Sequence, residues 1–168
     1  MIILGIDPGY AIVGYGVIDY RNNHFRVIDY GAILTDAKTP FNERLEIIYD
    51  RLTQIISLHS PEAMSVEKVF YNSNAKTVID VSQARGVIML AAQKNKLPVY
   101  EYTPLQVKQS VVGYGRAEKN QVQEMVKRIL ALEKVPKPDD TADALAMAVC
   151  HAHSSGSIME NIRIKRGI

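Results

Sequence analysis

Cysteine is nearly absent from this 168-residue chain. Cys150 stands alone in the run Ala146-Met147-Ala148-Val149-Cys150-His151. That rules out a disulfide framework within one chain, and the setting reads as a small buried apolar residue, not a reactive thiol. Long apolar runs are absent too. Residues 1–7 are apolar over too short a stretch for a signal peptide, and nothing approaches the roughly 18 apolar residues of a membrane span. The expectation is a cytoplasmic protein with no membrane partner. Internal repeats and low-complexity segments are lacking. The length suits one ordinary domain, and at 47% hydrophobic residues it holds enough apolar surface for a core without staples.

A large net charge is also missing, since the formal value is only +2. The charges are unevenly spread, however. Residues 1–67 hold 5 basic and 9 acidic side chains, residues 68–137 hold 12 and 5, and residues 138–168 hold 3 and 4. A basic middle section between acidic flanks points to a polyanion-binding surface, with solvated helix faces accounting for part of it.

Hydrophobic periodicity divides the chain into strands followed by alternating elements. Residues 2–7, 12–20 and 25–34 are rich in β-branched and aromatic residues and read as strands. Asn22 and Asn23 tolerate the left-handed conformations of a tight hairpin, so the second and third strands should be antiparallel neighbours. Phe41, Leu45, Ile48, Leu52 and Ile55 then recur at helical spacing, predicting an amphipathic helix over 41–58. A short strand follows at 63–67, then a helix over 74–94 that is apolar nearly all round and must be covered on several sides, a subunit interface being one candidate. Another strand spans 98–102, Pro104 sits where a helix can begin, and further helices are predicted over 118–132 and from 140 to about 153. This order predicts an α/β fold: a mixed five-stranded sheet flanked by helices in one domain over 1–155. The pattern decays through Ser155-Gly156-Ser157 into a basic tail, 156–168, expected to be frayed.

Four acidic residues have a shared logic. Asp7 ends a strand before the Pro8-Gly9 turn, although an Asx turn explains it alone. Glu67 ends a strand expected to be buried, where a carboxylate needs a cation, a metal or a partner such as Lys68 or an arginine. Asp140 and Asp143 lie three apart at a helix start and share a face, although capping and the helix dipole explain acids there as well. Together they form a set of hard oxygen donors suited to Mg²⁺. Two such ions about 3.5–4 Å apart can activate a water and stabilise the departing oxygen of an in-line displacement. His151 and His153, two apart on a helix, do not share a face, which argues against a zinc site.

The ordered motifs go further. Ile3-Leu4-Gly5-Ile6-Asp7-Pro8-Gly9 with Gly14-Tyr15-Gly16, Glu67-Lys68-Val69-Phe70, Gln83-Ala84-Arg85-Gly86, Gln106-Val107-Lys108-Gln109, Ala117-Glu118-Lys119 and Asp140-Thr141-Ala142-Asp143-Ala144-Leu145-Ala146 resemble, in that order, the RuvC family of Holliday junction resolvases. The resemblance implies an RNase H-like fold and a homodimer that cuts symmetrically placed strands of four-way junction DNA in recombination and repair. It implies Mg²⁺ as cofactor, two ions per site with Mn²⁺ as a substitute, and a branch-migration motor complex as partner. It carries the catalytic and metal-binding roles onto Asp7, Glu67, Asp140 and Asp143, and leaves the adjoining Asp139 without a role.

The resemblance also places Lys119 near the scissile phosphate as a catalytic and DNA-binding residue, and Lys108 beside it as a DNA contact. Phe70 and Tyr71 are expected to stack on unpaired bases, a buried staple being the competing reading, and Arg85 completes the expected DNA contacts. Two other readings stay open on sequence grounds: a ribonuclease on the same fold, and a non-catalytic nucleic-acid-binding protein, against which the four intact carboxylates argue. The glycine-rich turns are also similar to phosphate loops of actin-like ATPases, but those chains are roughly twice as long.

Overall fold

The computed structural model describes residues 1–68 and 78–155. Alternating apolar residues drive the first three strands, β1 (Ile2–Asp7), β2 (Ile12–Arg21) and β3 (His24–Leu34), into an antiparallel meander. Asn22 and Asn23 make the expected hairpin turn, at φ 51° and 62°. After α1 (Phe41–His59), closed by Ser60 in the left-handed region, β4 (Ala63–Glu67) pairs parallel to β1. Helix α2 (Val78–Lys94) leads to β5 (Val99–Tyr102), parallel to β4. The sheet order is β3-β2-β1-β4-β5, so the expected mixed five-stranded sheet is borne out. Three further helices follow among the described residues: α3 (Pro104–Val112), α4 (Lys119–Ile129) and α5 (Asp139–Ser155). The predicted start of the second helix at 74–77 lies outside the described residues, as does the 156–168 tail.

Strand alternation sends side chains to two separate cores. Leu4, Ile6, Val13, Val17, Met64 and Val66 face α1 and α2, whose buried stripes include Ile48, Leu52, Ala84 and Ile88. Ile3 and Ile18 face α5, which packs with α3 and α4 through Leu145, Val149, Val107 and Val126. Helix α2 buries one stripe only. Its other side presents Ile79 and Leu90, 64% and 52% exposed, in line with Gln83 and Gly86, so the nearly all-round apolar pattern has a partner on one face and open surface on the other. Among the described residues no helix is long and apolar enough to cross a membrane.

Helix α5 lies against β1 and β2 more closely than side chains would allow. A Cβ on Gly5 would stand 2.0 Å from the Ala144 carbonyl oxygen, and one on Gly14 would stand 2.0 Å from that of Asp140. Gly14 pairs with Asp7 across β1 and β2, so the missing side chain is what brings the start of α5 to the end of β1. Ser65 adds a tie from β4, its hydroxyl donating to the Met147 carbonyl at 2.7 Å.

Gly14→Ala is therefore expected to push the start of α5 off the sheet and destabilise the protein by about 2 kcal/mol, within the usual range for overpacking. Gly86→Ala is the control for packing within the chain: its Cβ would meet nothing within 4 Å there, so it should leave α5 seated on the sheet. Urea unfolding of both variants checks the pair.

Candidate active site

The parity that builds the α5-side core also aims the acidic residues. Gly5 and Asp7 of β1, like Ser65 and Glu67 of β4, face α5, and Asp143 projects back from that helix's second turn. Together they open onto a cavity of about 220 Å³ lined by Asp7, Glu67, Lys108, Lys119 and Asp143, with Pro104, Val107, Val122, Ala146 and Met147 as its apolar wall. Asp140 lies in the first turn of α5, outside the lining, but close enough for its charge to act on Asp7.

The two lysines arrive on the helices packed beside α5. Thr103 caps α3 by accepting from the Gln106 backbone N–H, while the Gln106 side chain accepts from the Thr103 N–H, with Pro104 in the first turn as expected. This sets Lys108 one turn in, facing the cavity. At α4 the Gln121 side chain accepts from the Glu118 N–H at 2.8 Å, which makes Lys119 the first residue of that helix. The Lys119 ammonium donates to Asp143 Oδ2 at 2.8 Å and stands 3.7 Å from Asp139 Oδ2.

On the opposite side of Asp7, the Pro8–Ala11 turn is fastened from α1. The buried Arg44 donates to the Tyr10 carbonyl at 3.1 Å and to Thr35 Oγ1 at 2.8 Å, and Thr35 Oγ1 itself donates to that carbonyl at 2.6 Å. Asp7 accepts no hydrogen bond from this turn among the described residues, so the Asx-turn reading does not hold.

Electrostatics single out the same group. Burial, then the charges of Asp143, Glu67 and Asp140, push the Asp7 carboxyl up to about 8, against a smaller opposing effect of Lys119. Glu67 is raised by burial and by Asp143, and again Lys119 opposes. Burial would lower Lys119, but its hydrogen bond to Asp143 and the charges of Asp143, Asp139 and Asp7 outweigh that and raise it. Crowded, partly desolvated carboxylates with one ammonium among them have an excess of negative charge that a hard cation would neutralise. As they stand, no three His, Cys, Asp or Glu side chains among the described residues enclose an ion-sized space. An open set of this kind still fits Mg²⁺, which keeps several waters and is held through one or two carboxylates plus substrate phosphate.

Not every expected residue reaches the cavity. Arg85 points to the other side of the sheet, where it forms an ion pair with Glu101, because Glu101 alternates with Tyr100 and Tyr102 and so faces α2. Phe70 and Tyr71 lie outside the described residues. His151, 4% exposed, bonds through Nδ1 to the Tyr102 hydroxyl at 2.8 Å, and burial pushes it down to about 4. It is a neutral packing residue, consistent with the argument against zinc. Burial pushes the Cys150 thiol up to about 11, so it is unreactive as expected. Sequence reasoning missed the apolar wall and the contact of Asp139 with Lys119, since side chains on separate helices leave no spacing signal.

Comparison with known proteins settles the family. The sequence profile described as Crossover junction endodeoxyribonuclease RuvC matches residues 3–151. The chain belongs to the RuvC family. It is 60% identical over 155 residues to the Crossover junction endodeoxyribonuclease RuvC of Clostridioides difficile, covering 92% of each chain. Among solved structures, Thermus thermophilus RuvC in complex with Holliday junction substrate superposes with a TM-score of 0.87 at 36% identity, over 92% of this chain and 94% of that one. The yeast mitochondrial Holliday junction resolvase Ydc2 matches at a TM-score of 0.62 and 14% identity, over 92% and 80% of the two chains, a likeness of fold alone. The RNase H-like architecture is thereby established. RuvC-family nucleases are metal-dependent.

The raised Asp7 carboxyl has a measurable consequence without metal. Its folded value of about 8 exceeds the ordinary 3.8, so between these values the folded state binds more protons than the unfolded state, and stability falls as pH rises. In EDTA, Asp7 should make unfolding free energy drop between pH 5 and pH 8, while the lowered His151 acts in the opposite sense below its ordinary 6.5. Asp7→Asn should remove the Asp7 contribution and stabilise the protein at pH 8 by on the order of 2 kcal/mol. Urea titrations at the two pH values check this, and a wild-type slope retained by the variant would clear Asp7 of responsibility.

Proposed function

We propose that this chain is a structure-selective endodeoxyribonuclease that resolves four-way DNA junctions by Mg²⁺-dependent phosphodiester hydrolysis, nicking two symmetric strands as a homodimer. The observation that carries the reading is the convergence of Asp7, Glu67 and Asp143 from three elements on one cavity that also receives Lys108 and Lys119. The crossover-junction name of the relatives and the junction bound to the Thermus protein support the substrate.

Asp7, Glu67, Asp140 and Asp143 would hold the divalent ions. Bound there, two ions would supply a nucleophile at neutral pH and stabilise the departing oxygen, with Mn²⁺ as a substitute for Mg²⁺. Lys119, among these carboxylates, orients the scissile phosphate and offsets the charge it develops, and Lys108 on the neighbouring wall holds the backbone. The apolar wall of Val107, Val122 and Met147 limits water beside the reacting group, which strengthens these interactions. Phe70 and Tyr71 would contact unpaired bases at the junction. Arg85, paired with Glu101 across the sheet, would act on DNA only from the far side of the domain.

The exposed line Ile79, Gln83, Gly86 and Leu90 on α2 supports the dimer, since Gly86 allows a second helix to approach closely. A branch-migration motor is the partner that would deliver the junction.

Incubation with a synthetic four-way junction, a linear duplex and an RNA/DNA hybrid, with Mg²⁺ or EDTA, tests the whole reading. Paired nicks in the junction alone, with Mg²⁺ alone, are expected. Asp7→Asn, Glu67→Gln, Asp140→Asn and Asp143→Asn should each abolish cutting and leave junction binding in Ca²⁺ largely intact.

The two lysines have separable signatures. Lys119→Ala should mainly lower the single-turnover rate at saturating DNA, and Lys108→Ala should show a mixture of lower rate and weaker, less salt-dependent binding. An unchanged saturated rate in Lys119→Ala would reassign that residue to DNA positioning. Sedimentation at micromolar concentration should show a dimer, and a monomer that still nicks both strands in concert would remove α2 from the assembly.

A further inference from the structure

One acidic side chain beside the cavity takes no part in the mechanism above. Asp139 opens α5 and does not line the cavity, yet it is tied to it by a row of alternating charges. The Lys137 ammonium donates to Asp139 Oδ1, Asp139 Oδ2 faces the Lys119 ammonium at 3.7 Å, and that ammonium donates to Asp143 Oδ2 at 2.8 Å. Asp139 and Asp143 are one helical turn apart on the same face of α5, so they bracket Lys119 from a single rigid element. Lys137, on the outer oxygen, fixes the carboxylate so that the inner oxygen points at Lys119.

We propose that Asp139 is a positioning residue that keeps Lys119 at the cavity when a divalent cation takes Asp143. The inference rests on the nuclease reading given above. A divalent cation on Asp143 draws on the same negative charge and repels the ammonium, so it weakens the hold of Asp143 on Lys119. Lys119 is therefore held less firmly by Asp143 once the site is loaded. Its side chain is 56% exposed, so with no second acceptor it would extend into water and regain its rotamer freedom. Asp139 Oδ2 is already within reach and stays negative after Asp143 is engaged. Without Asp139, Lys119 would either leave the scissile phosphate or remain on Asp143 in competition with the cation.

A double-mutant cycle on the full-length protein separates this from a general loss of negative charge. Asp139→Asn, Lys119→Met and the double variant are compared with wild type in two assays: single-turnover cleavage at saturating junction and Mg²⁺, and Mn²⁺ binding without DNA, followed by electron paramagnetic resonance. Asp139→Asn is expected to slow the saturated rate about fivefold and to leave junction affinity in Ca²⁺ unchanged, the upper end of what an exposed pair contributes. It should weaken Mn²⁺ binding more when Lys119 is present than in the Lys119→Met background, and in that background it should slow cleavage no further. Asp139→Glu should restore the rate.

Equal effects of Asp139→Asn in both backgrounds, or a wild-type rate in the single variant, would overturn the proposal. Wild-type protein that binds Mn²⁺ and cuts no junction would instead overturn the nuclease reading, while the Mn²⁺ arm still decides whether Asp139 acts through Lys119.

Discussion

Backbone contact between α5 and the strands beneath it is the constraint on which the rest depends. Gly5 and Gly14 have no room for a Cβ because helix carbonyls occupy that space, and a Cβ on Gly16 would meet the Leu145 side chain. At this separation Asp143 comes beside Asp7 and Glu67 in a partly desolvated pocket, with the charge of Asp140 acting on Asp7 from outside its lining. The crowding is unfavourable for the bare protein, as the displaced Asp7 carboxyl shows. It is also what a site for hard cations requires, since each like charge that destabilises the empty cluster adds attraction for the ion.

The remaining elements hold this arrangement from two sides. Below the sheet, α1 and α2 fill the second core, and Arg44 reaches through to fasten the turn that follows Asp7. Above it, the Ser65 hydroxyl ties β4 to α5 at Met147, a wall residue of the cavity, and Tyr102 ties β5 to the same helix through His151. Because burial keeps His151 neutral, this second tie places no further charge beside the carboxylates. The lysines enter differently, from α3 and α4, two capped helices whose starts are set by Thr103 and Glu118. The carboxylates thus stand on the sheet and its closest helix, and the cations on the outer wall, where substrate phosphate would lie between them.

Much of this was legible in the linear sequence. Period-two alternation, helical spacing at Phe41, Leu45 and Ile48, the Asn22-Asn23 turn and Pro104 are local signals, and local signals survive without tertiary context. The four carboxylates and two lysines were legible for a different reason: their types and order match a family whose membership the comparisons establish. Arg85 shows where such matching stops. Its motif was recognisable, but which side of the sheet it serves depends on the parity of Glu101 in another strand.

The sequence by itself determined the elements, their order and the charge asymmetry, because these follow from backbone preference and residue chemistry read along the chain, and it offered the acidic set through its resemblance to a family. Only the tertiary structure decided that Asp7 is the most perturbed carboxylate, that Lys119 rests on Asp143 with Asp139 beside it, and that Asp140 stands outside the cavity lining. Burial and Coulomb interaction depend on distances between residues on separate elements, and that between Asp7 and Asp143 is fixed by how closely α5 can approach two glycines.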